Sequence, residues 1–510
     1  ARTGPLGLGL ATDDGRLLGV EADLPVWTLG ALRRGELWET TAIPEIRVQA
    51  ADVARRALDR LSIRAARRSR PPRSTAGRPR DLLGLPLSTT AEAASAFDFG
   101  LDKVMQVQCG AEAEFRRAAR LDPGFALAHA ALAMLGHEAG AEVDVDRAVR
   151  DAQESVRRRG DDRERSLVDV VTRRVRDCQG EGARALKRHV RDHPRDAMAV
   201  SAAVPTIAFS GVTDIQQEAW ELVESLAPAY GGDWWYAGLL AFVRQDQGRY
   251  DEAADLSGRA LAVQPSSGHA VHARTHVHYE TGDHAAGLAW LDPWIASNGR
   301  EASHLAHFSW HAALHELSRG DEAAVRARYA SQLAPPYVQG VRALVDSASL
   351  LWRCQVTGSW QGAGPLPVRA VLDAVDEDIL SRPTTAFTAM HAALALTAAG
   401  DTAGLVRLRD HLAAQPGPVM SDVVVSLCDA LAAFAEQRWC DAVRMLRLLG
   451  PWLVRLGGSA AQREIVEDTL LHALVAAGRC DEARALLDVR LDRRPSPLDV
   501  RRRRDAVTAR

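Results

Sequence analysis

Residues 248–285 read GRYDEAADLSGRALAVQPSSGHAVHARTHVHYETGDHA, a stretch bracketed by two similar turns. Gly248-Arg249-Tyr250-Asp251-Glu252-Ala253 opens it and Gly282-Asp283-His284-Ala285 closes it, 34 residues from glycine to glycine. Each glycine stands where one helix ends and the chain needs a left-handed backbone, a conformation that costs least without a Cβ. The small Ala just inside the following helix lets the two helices pack closely. Variants of the unit recur at Gly320-Asp321-Glu322-Ala323, Gly400-Asp401-Thr402-Ala403 and Gly478-Arg479-Cys480-Asp481-Glu482-Ala483. Leu121-Asp122-Pro123 and Val263-Gln264-Pro265 place a helix-stopping proline where the second helix of a pair should end.

Thirty-four residues is the period of a tetratricopeptide helix pair, and the other spacings drift to 38 or more. The segment FRRAARLDPGFALAHAALAMLGHEAG, residues 115–140, fits that unit best. The pattern predicts an all-α fold over residues 83–510, a right-handed superhelical solenoid of tetratricopeptide-like helix pairs. Each repeat should bury its apolar face only against its neighbours. Abundant Ala, Leu and Arg with 5% aromatic residues agree with helix over sheet. A formal net charge of -3 argues against a nucleic-acid or anionic-membrane partner. No apolar run is long enough to span a bilayer. The six cysteines show no CxxC spacing, which fits a reducing, cytoplasmic setting.

The first 82 residues read differently. A turn signal at Asp13-Asp14-Gly15 and a helical stretch from Pro44 to Leu61 predict a small irregular βα fragment over residues 1–62. Residues 63–82 contain RAARRSRPPRSTAGRPR (64–80), with seven arginines, three prolines and no acid, and are expected to be a solvated linker.

Nine of the sixteen histidines fall between His269 and His315. His272 and His276 form an HxxxH pair; His304, His307, His311 and His315 follow at steps of three, four and four. An i, i+4 pair shares one helix face, and neighbouring helices pack at roughly 8–10 Å. His272, His276, His307 and His311 could therefore converge on one zinc or iron ion, or on one polar substrate. A buried structural network of histidines is the competing reading. Glu280 extends the stripe by a carboxylate, and His391, on a later first helix, joins the groove if the superhelix curls back. His278 and His284 are read as surface residues. Trp234-Trp235-Tyr236 either adds an aromatic wall to the groove or packs between repeats, the second being the favoured reading. Gly457-Gly458 ends a helix and Ser459 can cap the next, so Gln462 and Arg463 form either an anion contact or a cap with a salt bridge. No P-loop or HExxH motif is present.

Several of these stretches carry a resemblance. Gly84-Leu85-Pro86-Leu87-Ser88-Thr89, HARTHVHYETGD (272–283), His307-Phe308-Ser309-Trp310-His311, Gly457-Gly458-Ser459-Ala460-Ala461-Gln462-Arg463-Glu464 and Arg494-Pro495-Ser496-Pro497 occur in this order. Over residues 83–500 the chain resembles the tetratricopeptide repeat protein 38 family and its bacterial relatives. The family usually has His where Ala460 stands and Asp where Glu464 stands. The resemblance implies the fold and no established reaction. The stretch from Val26 to Arg47 resembles the C-terminal end of a bacterial FAD/NAD(P)-binding oxidoreductase. Its dinucleotide fingerprint is missing, so no flavin or nicotinamide is expected.

Two functions follow as expectations. The first is a scaffold whose concave groove binds a partner protein or peptide through His272, His276, His307, Trp310, His311, His391, Gln462 and Arg463. The second is an enzyme, or a small-molecule or metal-binding protein, built on His272, His276, His307 and His311.

Overall fold

A computed structural model describes residues 77–508 except 178–179, 210–214, 363 and 416, together with 10–13, 16–17, 28, 50 and 53. The chain divides into two compact units, Ala1–Gly77 and Arg78–Arg510. In the first, Thr12–Asp13 pairs antiparallel with Arg16–Leu17. The Val26–Arg47 stretch lies outside the described residues except at Thr28, and the helix expected over 44–61 lies outside them except at Ala50 and Val53, both helical.

The second unit begins inside the segment read as linker. Arg78 donates to Ser88 Oγ at 2.6 Å and to Asp161 at 3.0 Å, and Arg80 bridges to Pro86. Its guanidinium has a carboxylate to satisfy it, so residues 78–82 pack with the helices instead of staying solvated.

From Ala91 onward the described chain is all-α. The five turn glycines adopt the left-handed conformation, with φ of 74° at Gly248, 75° at Gly282, 74° at Gly320, 70° at Gly400 and 70° at Gly478. At every one the next N–H reaches back five residues: Arg249 to the Arg244 carbonyl (2.8 Å), Asp283 to His278 (2.9 Å), Asp321 to Glu316 (3.0 Å), Asp401 to Leu396 (2.9 Å) and Arg479 to Leu474 (2.8 Å). This Schellman closure caps the last carbonyls of the first helix and turns the chain into the second.

A sixth turn of the same kind has no glycine. Arg438 donates to the Ala433 carbonyl at 2.8 Å, and Gln437 takes the left-handed position at φ 59°. Its trace in the sequence is Arg438-x-x-Asp441-Ala442, the remainder of the repeated unit.

The close-packing residue also sits later than three of the turns suggested. Ala285, Ala323 and Ala403 are exposed. The buried position lies five residues after the turn residue, and is filled by Ala253, Gly287, Val325, Leu405, Ala442 and Ala483. A Cβ at Gly287 would come 2.7 Å from the His315 ring, so this crossing requires glycine.

Helix Trp234–Asp246 packs on Tyr250–Val263, and Gly268–Glu280 packs on both. Two long-range contacts then tie distant parts of the unit. Cys109 N–H donates to the Glu301 carbonyl at 2.7 Å, next to the bridge between Gln108 and Ala302. Near the C-terminus, helix Pro497–Thr508 packs on Leu305–Ser318, and Ala460–Ala476 packs on Ser349–Thr357.

The apolar core is not continuous. One large cluster draws on residues 83–243 and another on residues 279–498. Between them lie only small clusters around Val271, Phe308 and Ala273. The histidine-bearing helices border these small clusters, and they also send Tyr279, Trp310, Ala313, Leu314 and Leu317 into the second large cluster.

The left-handed Gln437 generates a direct prediction. Gln437→Gly removes the Cβ clash of that conformation and should stabilise the fold by about 1 kcal/mol. A higher denaturation midpoint relative to wild type checks it; an unchanged or lower midpoint contradicts the turn assignment.

Candidate metal centre

Helix Gly268–Glu280 is capped by Ser267, whose hydroxyl accepts from Ala270 N–H at 3.4 Å. It carries His269, His272 and His276 at i, i+3 and i+7. Helix Leu305–Ser318 begins after His304 and carries His307 and His311 in the same spacing. The two faces meet. His272 Nε2 lies 3.1 Å from His311 Nε2, 3.2 Å from His276 Nε2 and 3.2 Å from His307 Nε2. The ring nitrogens of His272, His276 and His311 all fall within 4.8 Å of one another.

These contacts cannot all be hydrogen bonds. A ring nitrogen offers one in-plane direction, used either by one N–H or by one lone pair. Three nitrogen neighbours on His272 Nε2 therefore leave at least two contacts without a hydrogen bond. His307 adds a constraint: its Nδ1 lies 2.8 Å from Asp346 Oδ1. A carboxylate only accepts, so a proton sits on Nδ1, and Nε2 is the atom that faces the cluster. A tetrahedral cation with bonds of about 2.0–2.1 Å would set its ligand nitrogens about 3.3 Å apart. The three distances from His272 Nε2 match that edge; His272, His276 and His311 form the mutually close group, and His307 joins it through His272.

Protonation state agrees with ligation. Burial pushes the His276 imidazole down to about 3, and the neighbouring His307 adds to the effect. Burial, followed by the other histidines, holds His272 and His311 well below the ordinary range. Near neutral pH these rings are uncharged with free lone pairs, the form that binds a metal.

Asp346 was not found from the sequence. It is fully buried on a π-helical turn, Ala343–Ala348, and such turns often mark functional positions. Its one signal was an acid inside the otherwise uncharged stretch Ala343–Leu351. The carboxylate fixes the tautomer and direction of His307, as carboxylates beside metal-bound histidines do. Trp310 stacks on the His307 ring at 5.3 Å with planes 11° apart.

The other expected site residues separate from this cluster. Trp310 is fully buried and donates to Ser349 Oγ at 3.0 Å, so it is packing rather than groove surface. His391 is buried with Nδ1 bonded to the Phe387 carbonyl at 2.9 Å. It stands on the Asp346 side and does not reach the four converging nitrogens. Gln462 completes a capping box with Ser459, accepting from Ser459 N–H at 2.9 Å. Arg463 bonds the Gly457 and Gly458 carbonyls and makes no ion pair among the described residues, which removes the expected salt bridge. Glu280 turns away from the stripe to pair with Arg494 at 2.9 Å.

His284 and His278 are not surface residues. His284 is buried, with Nδ1 3.0 Å from His315 Nδ1 and Nε2 3.2 Å from the Pro495 carbonyl. His278 is half-buried beside Trp290. Trp290 of the next helix covers His278, and the C-terminal segment, invisible from local spacing, covers His284 through Pro495.

That packing rests on buried ions. Arg494 joins Glu280, Glu464 and the Tyr279 hydroxyl (3.1 Å), with its guanidinium 4.3 Å over the Tyr279 ring. Arg353 and Arg490 each reach Asp468 at 2.8 Å, and Arg490 reaches Asp499 at 2.9 Å. The network clamps helix Gly268–Glu280 independently of any ion bound by the histidines.

No protein-family model matches the chain.

Burial of neutral histidines also dictates a pH dependence. His269, His276, His284 and His391 have imidazoles driven down to about 4, 3, 4 and 4 by desolvation. An unfolded histidine titrates near about 6.5, so below that pH the unfolded chain binds more protons. The stability these groups contribute is fully present above pH 6.5 or so and falls as pH drops toward 4. Each contributes a slope approaching about 1.4 kcal/mol per pH unit in that window. Metal-free protein should lose stability steeply between these limits in pH-jump denaturation; a flat profile contradicts the buried neutral state.

Proposed function

We propose that this chain is a metalloprotein in which a tetratricopeptide-like, right-handed solenoid holds a divalent first-row cation on His272, His276, His307 and His311. The observation that carries this reading is the crowding of three ring nitrogens on His272 Nε2 at 3.1–3.2 Å. A cation turns those lone-pair contacts into bonds. Zinc is the first choice, and iron, nickel and copper also suit neutral imidazole. Four imidazoles would fill a tetrahedral shell and leave no open position, which favours a structural ion over a catalytic one.

Membership of the tetratricopeptide repeat protein 38 family belongs to the same proposal. It is supported by the work its quoted motifs do: Glu464 and Arg494 lie in the buried ion network, and His307 and His311 in the cluster. A cytoplasmic location goes with the unpaired Cys354, Cys428 and Cys480. Among the described residues no helix is long and apolar enough to cross a membrane. Capture of a partner peptide is the weaker reading. Of the residues assigned to the groove, only His272 and Arg463 are partly accessible.

The test is metal content after purification without a histidine tag and without chelator. One ion per chain is expected in wild type and none in a His276→Ala/His311→Ala variant. Thermal stability of wild type should fall on chelation and return with zinc, as binding to the folded state alone requires. Metal-free wild type whose stability ignores added zinc, cobalt, nickel and iron(II) contradicts the proposal.

A further inference from the structure

Away from the metal centre, a second set of polar groups converges on helices Asp162–Arg176 and Glu181–Asp192, which pack on each other. Ser166 lies in the first helix and His189 in the second, while Asp196 immediately precedes helix Ala197–Phe209. His189 Nδ1 is 2.8 Å from Ser166 Oγ, and its Nε2 is 3.2 Å from Asp196 Oδ2. One imidazole thus spans a hydroxyl and a carboxylate.

The carboxylate decides the direction of these hydrogen bonds. Asp196 also takes the Arg163 guanidinium at 2.9 Å. Burial opposes its charge, yet the His189 hydrogen bond and the Arg163 cation hold the carboxyl below its ordinary range. A carboxylate only accepts, so a His189 proton sits on Nε2. In the neutral ring the Nδ1 lone pair then accepts from the Ser166 hydroxyl. This is the relation of a base to a nucleophile, with a third group fixing the tautomer behind the base.

Burial follows the same order. Asp196 and His189 are 3% and 1% exposed, whereas Ser166 is half-buried. Of the three, only the hydroxyl is open to a reactant. The frame around it is fixed at the start of the helix, where Asp161 and Glu164 form a capping box. The Gly84–Thr89 stretch grips the residues just before Ser166. Ser88 N–H donates to Glu164 Oε1 at 2.7 Å, and the Pro86 carbonyl accepts from Arg163 at 2.9 Å. A motif to which the metal centre gives no role therefore holds the helix that carries Ser166.

We propose that Ser166 is a nucleophile that takes an acyl group from a small activated ester, with His189 as general base and Asp196 positioning it. Ser166 Oγ bonds to the ester carbonyl carbon as its proton moves to His189 Nδ1. The bond from that carbon to the alcohol oxygen then breaks, and the proton passes to the departing alkoxide. The products are an acyl-serine and an alcohol. None of this depends on the metal reading.

The experiment treats full-length protein with a fluorophosphonate, a stand-in for the ester that leaves a stable bond from serine oxygen to phosphorus with loss of fluoride. Peptide mapping by mass spectrometry follows the adduct at each serine, with exposed Ser225 as the reference within the same chain. Ser166 should react about a hundredfold faster than Ser225 or more, the contribution expected of a positioned base. His189→Gln should bring Ser166 down to the Ser225 rate. A second variant covers the case in which loss of the buried imidazole unfolds the chain. Ser166→Cys keeps His189 in place, and at pH 6 its thiol should react with iodoacetamide at least about tenfold faster than exposed Cys440, because a neighbouring imidazole favours the thiolate. Wild type that reacts no faster at Ser166 than at Ser225 overturns the proposal. So does a rate that survives His189→Gln, or an introduced thiol no faster than Cys440.

Discussion

Everything distinctive about this chain follows from one contact geometry: three imidazole nitrogens directed at a fourth, His272 Nε2, from 3.1–3.2 Å. Neutral rings cannot satisfy that arrangement among themselves, because one ring nitrogen makes one hydrogen bond. Leaving the others unmatched in a buried place costs free energy that a folded protein of marginal stability does not readily spare. A cation at the centre removes the conflict. Between the two large apolar clusters the buried space is shared by these imidazoles and small apolar clusters.

The surrounding structure keeps those rings in place by means that do not require the ion. Asp346 orients His307 from a π-helical turn, and Trp310 stacks on the same ring. On the other histidine helix, Gly268–Glu280, Glu280 and Tyr279 are gripped by Arg494, which is itself paired with Glu464. Breaking one member of such a buried pair leaves an uncompensated charge and typically costs about 3–5 kcal/mol. At the opposite end, Val107 pins the segment before His304. The histidine helices are held at both ends, which is the rigidity a preorganised ligand set needs.

What could be read in advance divides along the range of the interactions. Turn glycines were legible because the left-handed conformation is a local demand that selects a residue type. Gln437 was not, because there the Schellman closure holds an ordinary residue in that conformation. The histidine pairing was legible because i, i+4 spacing fixes a face and adjacent helices must share it. Asp346 is 39 residues from His307 and Arg494 is 214 from Glu280, so nothing in local sequence connects them. The same long-range packing misled the reading of His284, of Glu280 and of the groove itself. Trp310, His391 and Gln462 were assigned to the groove because their helices were judged without the segments that pack on them.

X-ray absorption of zinc-loaded protein at the zinc edge tests the central claim most directly, since it reports the atoms bound to the ion without reference to activity. The account predicts a first shell dominated by nitrogen at about 2.0–2.1 Å, with the outer-ring scattering of three or four imidazoles. A shell containing sulfur at about 2.3 Å, or one of oxygen without imidazole scattering, would place the ion elsewhere and contradict the convergence of His272, His276, His307 and His311 as a metal centre.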